Sequence, residues 1–590
     1  MAANKRPRKF TSFKDLAGGG GEGKSAEKPA QKGPGWTLET GEQQAVSEDA
    51  ARRLLEADEA PREVIDARPA GFGPMDSGPP PYADVESEEM DLLASFRVRT
   101  VFPEDVATEV ANLPADPLEE DFEGRVDLRG ETIFTIDGED ARDFDDAISV
   151  RALDDGAIEL GVHIADVAHY VTSGTALDAE ALARATSVYL PDQVVPMLPE
   201  TLSNGLCSLV PHRPRLAYSV VMTFDAEGRR SAARVHKSVI ESAERNTYRA
   251  VQELLDGKQT EDARAIAHLK QPLRLLEAWT RRQQQLRDAR GSLRMQSVER
   301  KFVFDDEHEV CAVVDAPRYF SQTLIEETAL AANQAVGDLF RERGLPTIYR
   351  VHPEKDPEEI AAVARLLAEH GLRVPDKERL TGRDVARLIR AARGKRNAEA
   401  LIGRIMGLIE RAVYEVRDHE DVATHFGLAR EAYLHFTSPI RRYPDLIVHR
   451  WLWAVESRGE EAAEELSAEQ LVADLNQIAA HCSVRSEVAE MASRAVGDLK
   501  TCQFMDPRVG ERLKGKVVRV SPPGMEVLLI EQNVSAFLPT RTMGDRGTVK
   551  GATLQVRRGR NVRSFTEGHP IAVKLVDVDF IRLQLMLELA

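Results

Sequence analysis

Residues 135–150 read TIDGEDARDFDDAISV and place Asp137, Asp140, Asp143, Asp145 and Asp146, with Glu139, inside ten positions. Like charges at this density repel one another strongly unless cations neutralise them. A solvated acidic loop is the ordinary explanation of such a run. Three features oppose it here: the apolar pieces TIFTI (132–136) and AISV (147–150) flank the run, Phe144 lies within it, and both flanks read as buried strands. Carboxylates gathered at the ends of core strands make a site. All-oxygen donors select hard cations, and an open set of this kind suits Mg²⁺. The spacing of an EF-hand loop is absent. Four aspartates would balance two Mg²⁺, the stoichiometry of two-metal phosphodiester hydrolysis, in which one ion acidifies the attacking water and the other stabilises the leaving oxygen.

Outward from this run, AISVRAL, IELGVHIADV and LAYSVVMTFD read as strands, and TLIEETALAANQAVGDLFRERG reads as a helix. The combination predicts a mixed α/β domain. Helical periodicity dominates residues 355–500, and these helices are expected to pack on the same domain. From residue 506 the pattern turns to short strands separated by turn residues, among them RLKGKVVRV, MEVLLI and IAVKLVDVDF, which predicts a small all-β barrel of the OB-fold kind. Residues 508–563 hold 12 Lys and Arg against 4 Asp and Glu, the charge expected of a phosphate-backbone binder.

At the other end, residues 1–34 form a basic tail too poor in large apolar side chains to order itself. Residues 35–95 read as an acidic tether; over 35–91 it has 15 Asp and Glu against 4 Arg. The tether holds one short amphipathic segment, SEDAARRLLEADEA, with Ser47 as N-cap and Pro61 as stop. The expected organisation is therefore tail 1–34, tether 35–95, catalytic domain 96–505 and OB-fold domain 506–590.

The 590 residues carry 78 Lys and Arg against 97 Asp and Glu, a net charge of −19, so a polyanion must be met locally and not by the molecule as a whole. Four widely spaced cysteines exclude a disulfide scaffold and a thiolate zinc site. No stretch is long and apolar enough for a membrane span or a signal peptide, and the reading is a protein of the cytoplasm with no membrane partner.

The acidic run, with HIADVAHYV (163–171), RATSVYLPDQVVPMLPETLSNGLCSLVP (184–211), IEETALAAN (325–333), YRVHP (349–353) and HFTSPIRRYPDLIVHR (435–450), resembles the RNB family of ribonuclease II and ribonuclease R type exoribonucleases, in the family's order. The resemblance covers roughly residues 96–590. It implies processive hydrolysis of single-stranded RNA from the 3′ end to nucleoside 5′-monophosphates. It also implies that Asp137, Asp143, Asp145 and Asp146 are the metal-site aspartates, with Asp145 the most critical and Asp140 extra. The cofactor it implies is Mg²⁺, two ions with substrate, or Mn²⁺ in its place. Asp143 and Asp145 would point away from Asp146 on an extended chain, so the loop has to curl.

Arg441, between Pro439 and Pro444, is expected in a loop leading into a helix, where the resemblance makes it the group that stabilises phosphoryl charge in the transition state. Arg442 would contact backbone phosphate. Tyr189 resembles the aromatic that stacks on RNA and sets the length of the final product. Tyr248 and one of Glu326 or Glu327 resemble residues that contact the terminal ribose, which is how RNA is told from DNA. His163, His169, His352, His435 and His449 are read as structural or phosphate-facing.

Three departures stand out. Residues 1–95 have no pattern for the paired N-terminal barrels common in the family, so an RNA clamp is missing or comes from a protein partner, which the N-terminal tail could recruit. Arg294 stands where acidic residues are usual, and nothing explains it. Gly524-Met525-Glu526-Val527 replaces an aromatic pair in the barrel, removing stacking surface worth about 1–3 kcal/mol per base. The rival reading is an RNA-binding protein that kept the fold and lost activity; a DNA nuclease with the same metals is a third.

Overall fold

A strand apolar on both faces has to be covered on both, and the stretch Pro214–Phe224 is buried at most of its positions. In the computed structural model, which describes residues 87–590 apart from 155, 294–298, 378–379, 396–397 and 418–423, this strand lies inside a seven-stranded sheet. The sheet is built from β1 (Val126–Asp127), β2 (Phe134–Asp137), β3 (Asp146–Ala152), β4 (Ile158–Ala165), β7 (Pro214–Phe224), β8 (Arg230–Glu241) and β9 (Glu244–Thr247), in the order β1-β8-β7-β4-β3-β2-β9. Its inner pairs are antiparallel, while β1 joins β8 and β9 joins β2 in parallel. A separate two-stranded hairpin, β5 (Val188–Tyr189) and β6 (Val194–Val195), stands beside the sheet.

The principal helices are α1 (Ser87–Ser95), α2 (Glu104–Ala111), α3 (Ala176–Arg184), α4 (Tyr248–Leu255), α5 (Lys270–Arg290), α6 (Phe320–Glu342), α7 (Pro357–Ala368), α8 (Gly382–Arg393), α9 (Ala398–Met406), α10 (Tyr443–Arg458) and α11 (Glu469–Met505). Leu93 of α1 and Val106 and Val110 of α2 enter the same apolar core as Phe134, Ile148, Tyr218, Phe436 and Trp451. Helix α1, ahead of the expected boundary at 96, thus packs on this core, because it has an apolar face to bury. The tail, and the helix expected in residues 47–60, lie outside the described residues.

The helical half divides. Helices α10 and α11 pack on the main core, as expected, but α7–α9 build a core of their own around Leu367, Leu388, Leu401 and Ile405. In α8 the residues Val385, Leu388, Ile389 and Ala392 fall on one face, and Thr381 with Asp384 caps its start reciprocally. That face is satisfied locally, so this unit needs little from the sheet.

Helix α11 has 37 residues and so runs about 55 Å. Near its first half, the Ser483 hydroxyl accepts at 2.8 Å from the backbone N–H of Tyr414 on β13 (Val413–Arg417), which pairs with β12 (Thr347–Val351). Its last residues, Cys502, Phe504 and Met505, enter the core of the C-terminal barrel.

The barrel is closed by β14 (Arg512–Ser521), β15 (Gly524–Leu529), β16 (Val534–Pro539), β20 (Pro570–Asp579) and β21 (Gln584–Leu589), with β16 parallel to β21. A three-stranded sheet of β17 (Arg546–Lys550), β18 (Thr553–Arg558) and β19 (Asn561–Thr566) stands between its third and fourth strands. The five strands in this order are the OB-like barrel expected from the turn spacing. A hairpin from the catalytic range, β10 (Arg300–Phe304) with β11 (Val310–Asp315), packs on the barrel through Val313, and the Asn533 amide donates to Asp315 at 2.8 Å. Glu526 on β15, in the stretch expected to lack stacking surface, has Phe537 directly opposite on β16, where the ring is exposed. Gly524 makes room for that ring, since a Cβ there would meet its Cζ at 2.5 Å. Among the described residues no helix is long and apolar enough to cross a membrane.

His163 and His449 are buried in the main body, 2% and 1% exposed. Burial pushes the ring of His163 down to about 3 and that of His449 down to about 4, against an ordinary value of 6.5. Both stay neutral in the fold while the unfolded chain protonates. Their contribution is therefore present above pH 6.5 and is lost as pH falls toward 4. In denaturant titrations the unfolding free energy is expected to drop by about 1.4 kcal/mol per pH unit for each ring in that window. His449→Gln should remove one ring's share of the slope, and an unchanged slope would contradict this account.

Candidate active site

Strand β2 ends at Asp137 and β3 begins at Asp146, so the acidic run is the connection between two adjacent strands of the sheet. The connection is tied down at several points. The Ser208 hydroxyl donates to the Arg142 carbonyl at 2.7 Å and accepts from the N–H of Phe144 at 3.0 Å. The N–H of Leu209 donates to the Phe144 carbonyl at 3.0 Å, and that of Ala165 to the Asp145 carbonyl at 2.9 Å. Arg245 reaches the carbonyls of Gly138 and Glu139 at 2.7 and 2.6 Å, and Phe144 is buried beneath its guanidinium. These bonds curl the chain, as the alternation of an extended strand would not allow.

Asp145 is 5% exposed; its Oδ1 accepts from the N–H of Ile440 at 2.8 Å and its Oδ2 lies 3.6 Å from Nε of Arg441. Asp143 accepts from the Tyr189 hydroxyl at 3.2 Å, and the Arg441 guanidinium sits 5.9 Å from the centre of the Tyr189 ring. The Arg441 loop is braced from both sides. Its carbonyl accepts from the N–H of Ser187 at 3.1 Å, and the N–H of Tyr443 donates to the Ala185 carbonyl at 2.9 Å. Asp445 accepts from the N–H of Ser438 at 2.8 Å and holds Arg442 in a two-pronged pair at 2.8 and 3.0 Å. Helix α10 starts at Tyr443 with Pro444 in its first turn, so Arg441 is in the loop that the two prolines predict.

The four aspartates are held in the wrong medium for their charge. Burial, and then the charges of Asp146 and Asp143, push Asp137 up to about 8. Burial pushes Asp146 up to about 6 against the pull of Arg441 and Arg442. Asp143 and Asp145 are raised by burial too, with Arg441 opposing in each case. Oδ2 of Asp137 and Oδ2 of Asp145 are buried without a hydrogen-bond partner. An all-oxygen set with buried oxygens to spare and too little positive charge fits a hard divalent cation. Among the described residues no three carboxylate, imidazole or thiol groups already stand close enough to enclose an ion.

The remaining expected residues separate. Tyr248 opens α4 and feels the charges of Asp137 and Asp146, which with burial raise its hydroxyl. Glu326 and Glu327 both pair with Arg287, at 3.0 and 2.5 Å, but Glu327 is 1% exposed while Glu326 faces a cavity of about 730 Å³ that Arg318, Phe320, His352 and His425 also line. Of the two, Glu326 is the one open to a ligand. Arg442 is committed to Asp445, a pair that shapes the loop. Glu139 and Asp140 point elsewhere, to Arg249 at 2.6 Å and Lys301 at 3.2 Å. His169 pairs with Asp121 at 2.9 Å, and His435 accepts from or donates to the Tyr414 hydroxyl at 2.9 Å, so the matched histidines serve the framework.

Sequence reasoning missed the groups that hold the site: Ser208, Arg245, Asp445 and the N–H of Ile440. Asp445 alone left a signal, three residues after Arg442 at the head of a helix. The other three act through backbone geometry that no spacing discloses.

The RNB domain family matches residues 125–458, and the S1 RNA binding domain family matches residues 506–584. Ribonuclease R of Thermotoga maritima is 38% identical over 489 residues, 82% of this chain and 67% of the relative. The chain spans between 54% and 67% of the length of the ribonuclease R relatives from Thermotoga maritima, Lactococcus lactis and Escherichia coli. The structure of Mycoplasma genitalium RNase R in complex with ribose methylated single-stranded RNA is similar over 85% of this chain and 78% of that one, with 25% identity and a TM-score of 0.74. Yeast Ssd1, a pseudonuclease, shares the fold at a TM-score of 0.61 and 19% identity, over 81% of this chain and 58% of that one. The first family match takes in the β2–β3 aspartates, the Tyr189 hairpin and the Arg441 loop and spans more than half of the chain, which therefore belongs to the RNB family.

Proposed function

We propose that this chain is a hydrolytic 3′-to-5′ exoribonuclease that degrades single-stranded RNA to nucleoside 5′-monophosphates. One observation carries the reading: Asp137, Asp143, Asp145 and Asp146 stand on one strand connection near enough for their charges to repel, with Asp145 buried and the Arg441 guanidinium 3.6 Å from it. The names of the relatives, and the single-stranded RNA in the Mycoplasma structure, support the substrate. The basic barrel supplies a second, salt-sensitive contact with the RNA backbone. The reading places the protein in the cytoplasm with its substrate.

The aspartates would hold Mg²⁺, or Mn²⁺ in its place, which when bound supplies an acidified water and positive charge for the departing oxygen. The protein's own residues do the rest. Asp145 is held in place by the Ile440 N–H and cannot swing away. Arg441 is half exposed on the open side of Asp145, where its charge can meet a phosphoryl oxygen as negative charge builds. Tyr189 presents an exposed ring between Asp143 and Arg441 and is the stacking surface for a base. Tyr248 and Glu326 are the groups left to read the ribose hydroxyls.

The second reading is that the fold binds RNA without cutting it, as the pseudonuclease label of Ssd1 illustrates for that protein. The intact carboxylate set and Arg441 favour the enzyme. With a 5′-labelled single-stranded RNA and its DNA counterpart, Mg²⁺ should permit trimming of the RNA alone from its 3′ end, and EDTA should stop it. Asp145→Asn should abolish trimming while RNA binding persists. RNA bound but uncut by the wild type under either metal would favour the second reading. Arg441→Ala should lower kcat about 10²–10³-fold with KM little changed, and a loss confined to KM would assign Arg441 to binding alone.

Because the carboxylates must lose protons to bind a cation, Mg²⁺ should raise the melting temperature more at about pH 8 than at about pH 5. Asp145→Asn combined with Asp146→Asn should abolish that rise. A rise that survives the double substitution would place the ion elsewhere.

A further inference from the structure

The β5–β6 hairpin carries Tyr189 at the end of its first strand, and each of its strands has only two residues. Two pairs, Val188 with Val195 and Tyr189 with Val194, are too few to hold such a hairpin without outside support. The outside support converges on its turn, residues 190–193. The N–H of Leu190 donates to the Gln193 carbonyl at 2.8 Å and closes the turn. Beyond that bond, the turn is gripped by two side chains from opposite ends of the catalytic core.

One is Glu89, in the first turn of α1, fully buried at 0% exposure. Its Oε1 accepts from the Gln193 side-chain amide at 2.5 Å, and its Oε2 pairs with Lys500 at 3.0 Å. The other is Lys500 of α11, 5% exposed, which also reaches Asp192 of the turn at 3.3 Å. Ser493, two turns earlier on the same helix, donates its hydroxyl to the Tyr189 carbonyl at 2.5 Å. The chain of contacts runs from Glu89 through Gln193, Lys500 and Asp192 to the turn, then to Tyr189 and Asp143.

A buried carboxylate needs a strong structural or functional reason, since removing it from water costs several kcal/mol before any pairing. Helix α1 already has Leu93 for anchoring in the core, so Glu89 is not required to dock the helix. What it adds is a fixed point for the hairpin that presents an exposed aromatic beside Asp143.

We propose that Glu89 is a positioning residue for Tyr189, acting through the turn of the β5–β6 hairpin to hold the ring in register with Asp143 and Arg441 for stacking on RNA. The segment ahead of the sheet, read from sequence as a tether, thereby takes part in the site. The proposal rests on the reading of Tyr189 as the stacking aromatic.

The test uses the full chain with Glu89→Ala, Glu89→Gln, Tyr189→Ala and the double substitution Glu89→Ala with Tyr189→Ala. Each is assayed on a 5′-labelled single-stranded oligoadenylate with Mg²⁺ for KM, kcat and the length of the final remnant. Amide hydrogen exchange is followed in residues 188–195. Glu89→Ala should speed exchange in the hairpin, raise KM about tenfold with kcat within about twofold, and lengthen the remnant toward that of Tyr189→Ala. Glu89→Gln, which keeps an acceptor for Gln193, should fall between it and the wild type. The double substitution should match Tyr189→Ala, because the strut has nothing left to position.

Hairpin exchange unchanged in Glu89→Ala would overturn the proposal, as would effects of the two substitutions that multiply. A lower melting temperature with the wild-type remnant and KM would reduce Glu89 to a merely structural ion pair and overturn it too. Wild-type remnant and KM in Tyr189→Ala itself would withdraw the stacking reading, and the proposal with it, while leaving the exoribonuclease assignment to the aspartate variants.

Discussion

Four carboxylates crowded onto one connection between adjacent strands, with Asp145 buried, are the constraint around which the rest of this molecule is arranged. Burial alone would drive them to protonate, and their mutual repulsion would drive them apart. The protein allows neither. Ser208, Arg245 and Ala165 fix the backbone between β2 and β3, so the aspartates cannot relieve their repulsion by moving the chain. The Ile440 N–H then fixes Asp145 itself. What is left is a set of carboxylates with a standing deficit of positive charge, partly met by Arg441. Strain of this kind is costly to stability and is kept where chemistry uses it.

The opposing loop has to be as rigid as the one it faces, and it is built by a different device. The aspartate loop is pinned from its own sheet, whereas residues 438–442 are pinned by Asp445, which binds one N–H and one guanidinium at the head of α10. Arg442 is spent on this, and the adjacent Arg441 is thereby left with its charge directed at Asp145. Two arginines side by side in sequence therefore have different tasks, one shaping the loop and one facing Asp145. The task of Arg442 cannot be given to lysine without losing the planar, forked geometry that the pair with Asp445 uses.

Much of this was legible in the residues. Carboxylates between apolar flanks announced a site at strand ends, prolines around Arg441 announced a loop, and even turn spacing after residue 506 announced a barrel, because each is a local pattern with a local cause. The failures lie where the cause is distant. Helix α1 was read as part of an acidic tether because its charge is visible in sequence, while the core that receives Leu93 and the lysine that receives Glu89 are hundreds of positions away. Glu326 and Glu327 are neighbours of equal chemistry, and only the rotation of α6 decides that one is buried against Arg287 and the other faces a cavity. The missing aromatic on β15 looked like lost stacking surface. Strand pairing places Phe537 opposite it, a relation that depends on register and not on the sequence of either strand alone.

Helix α11 connects these parts in a way that constrains how the molecule can move. Ser483 meets the strand segment at Tyr414, Ser493 meets the Tyr189 carbonyl, Lys500 meets the hairpin turn, and Phe504 and Met505 lie in the barrel core. These residues sit on one uninterrupted helix, so their separations are fixed by its rise. The barrel core and the tyrosine hairpin are therefore held by the same rod. The β10–β11 hairpin gives the barrel a second attachment, through Val313 and the bond from Asn533 to Asp315, and Lys301 on that hairpin reaches Asp140 of the aspartate loop. Both attachments thus lead back to the strand connection that carries the aspartates and to the hairpin that carries Tyr189.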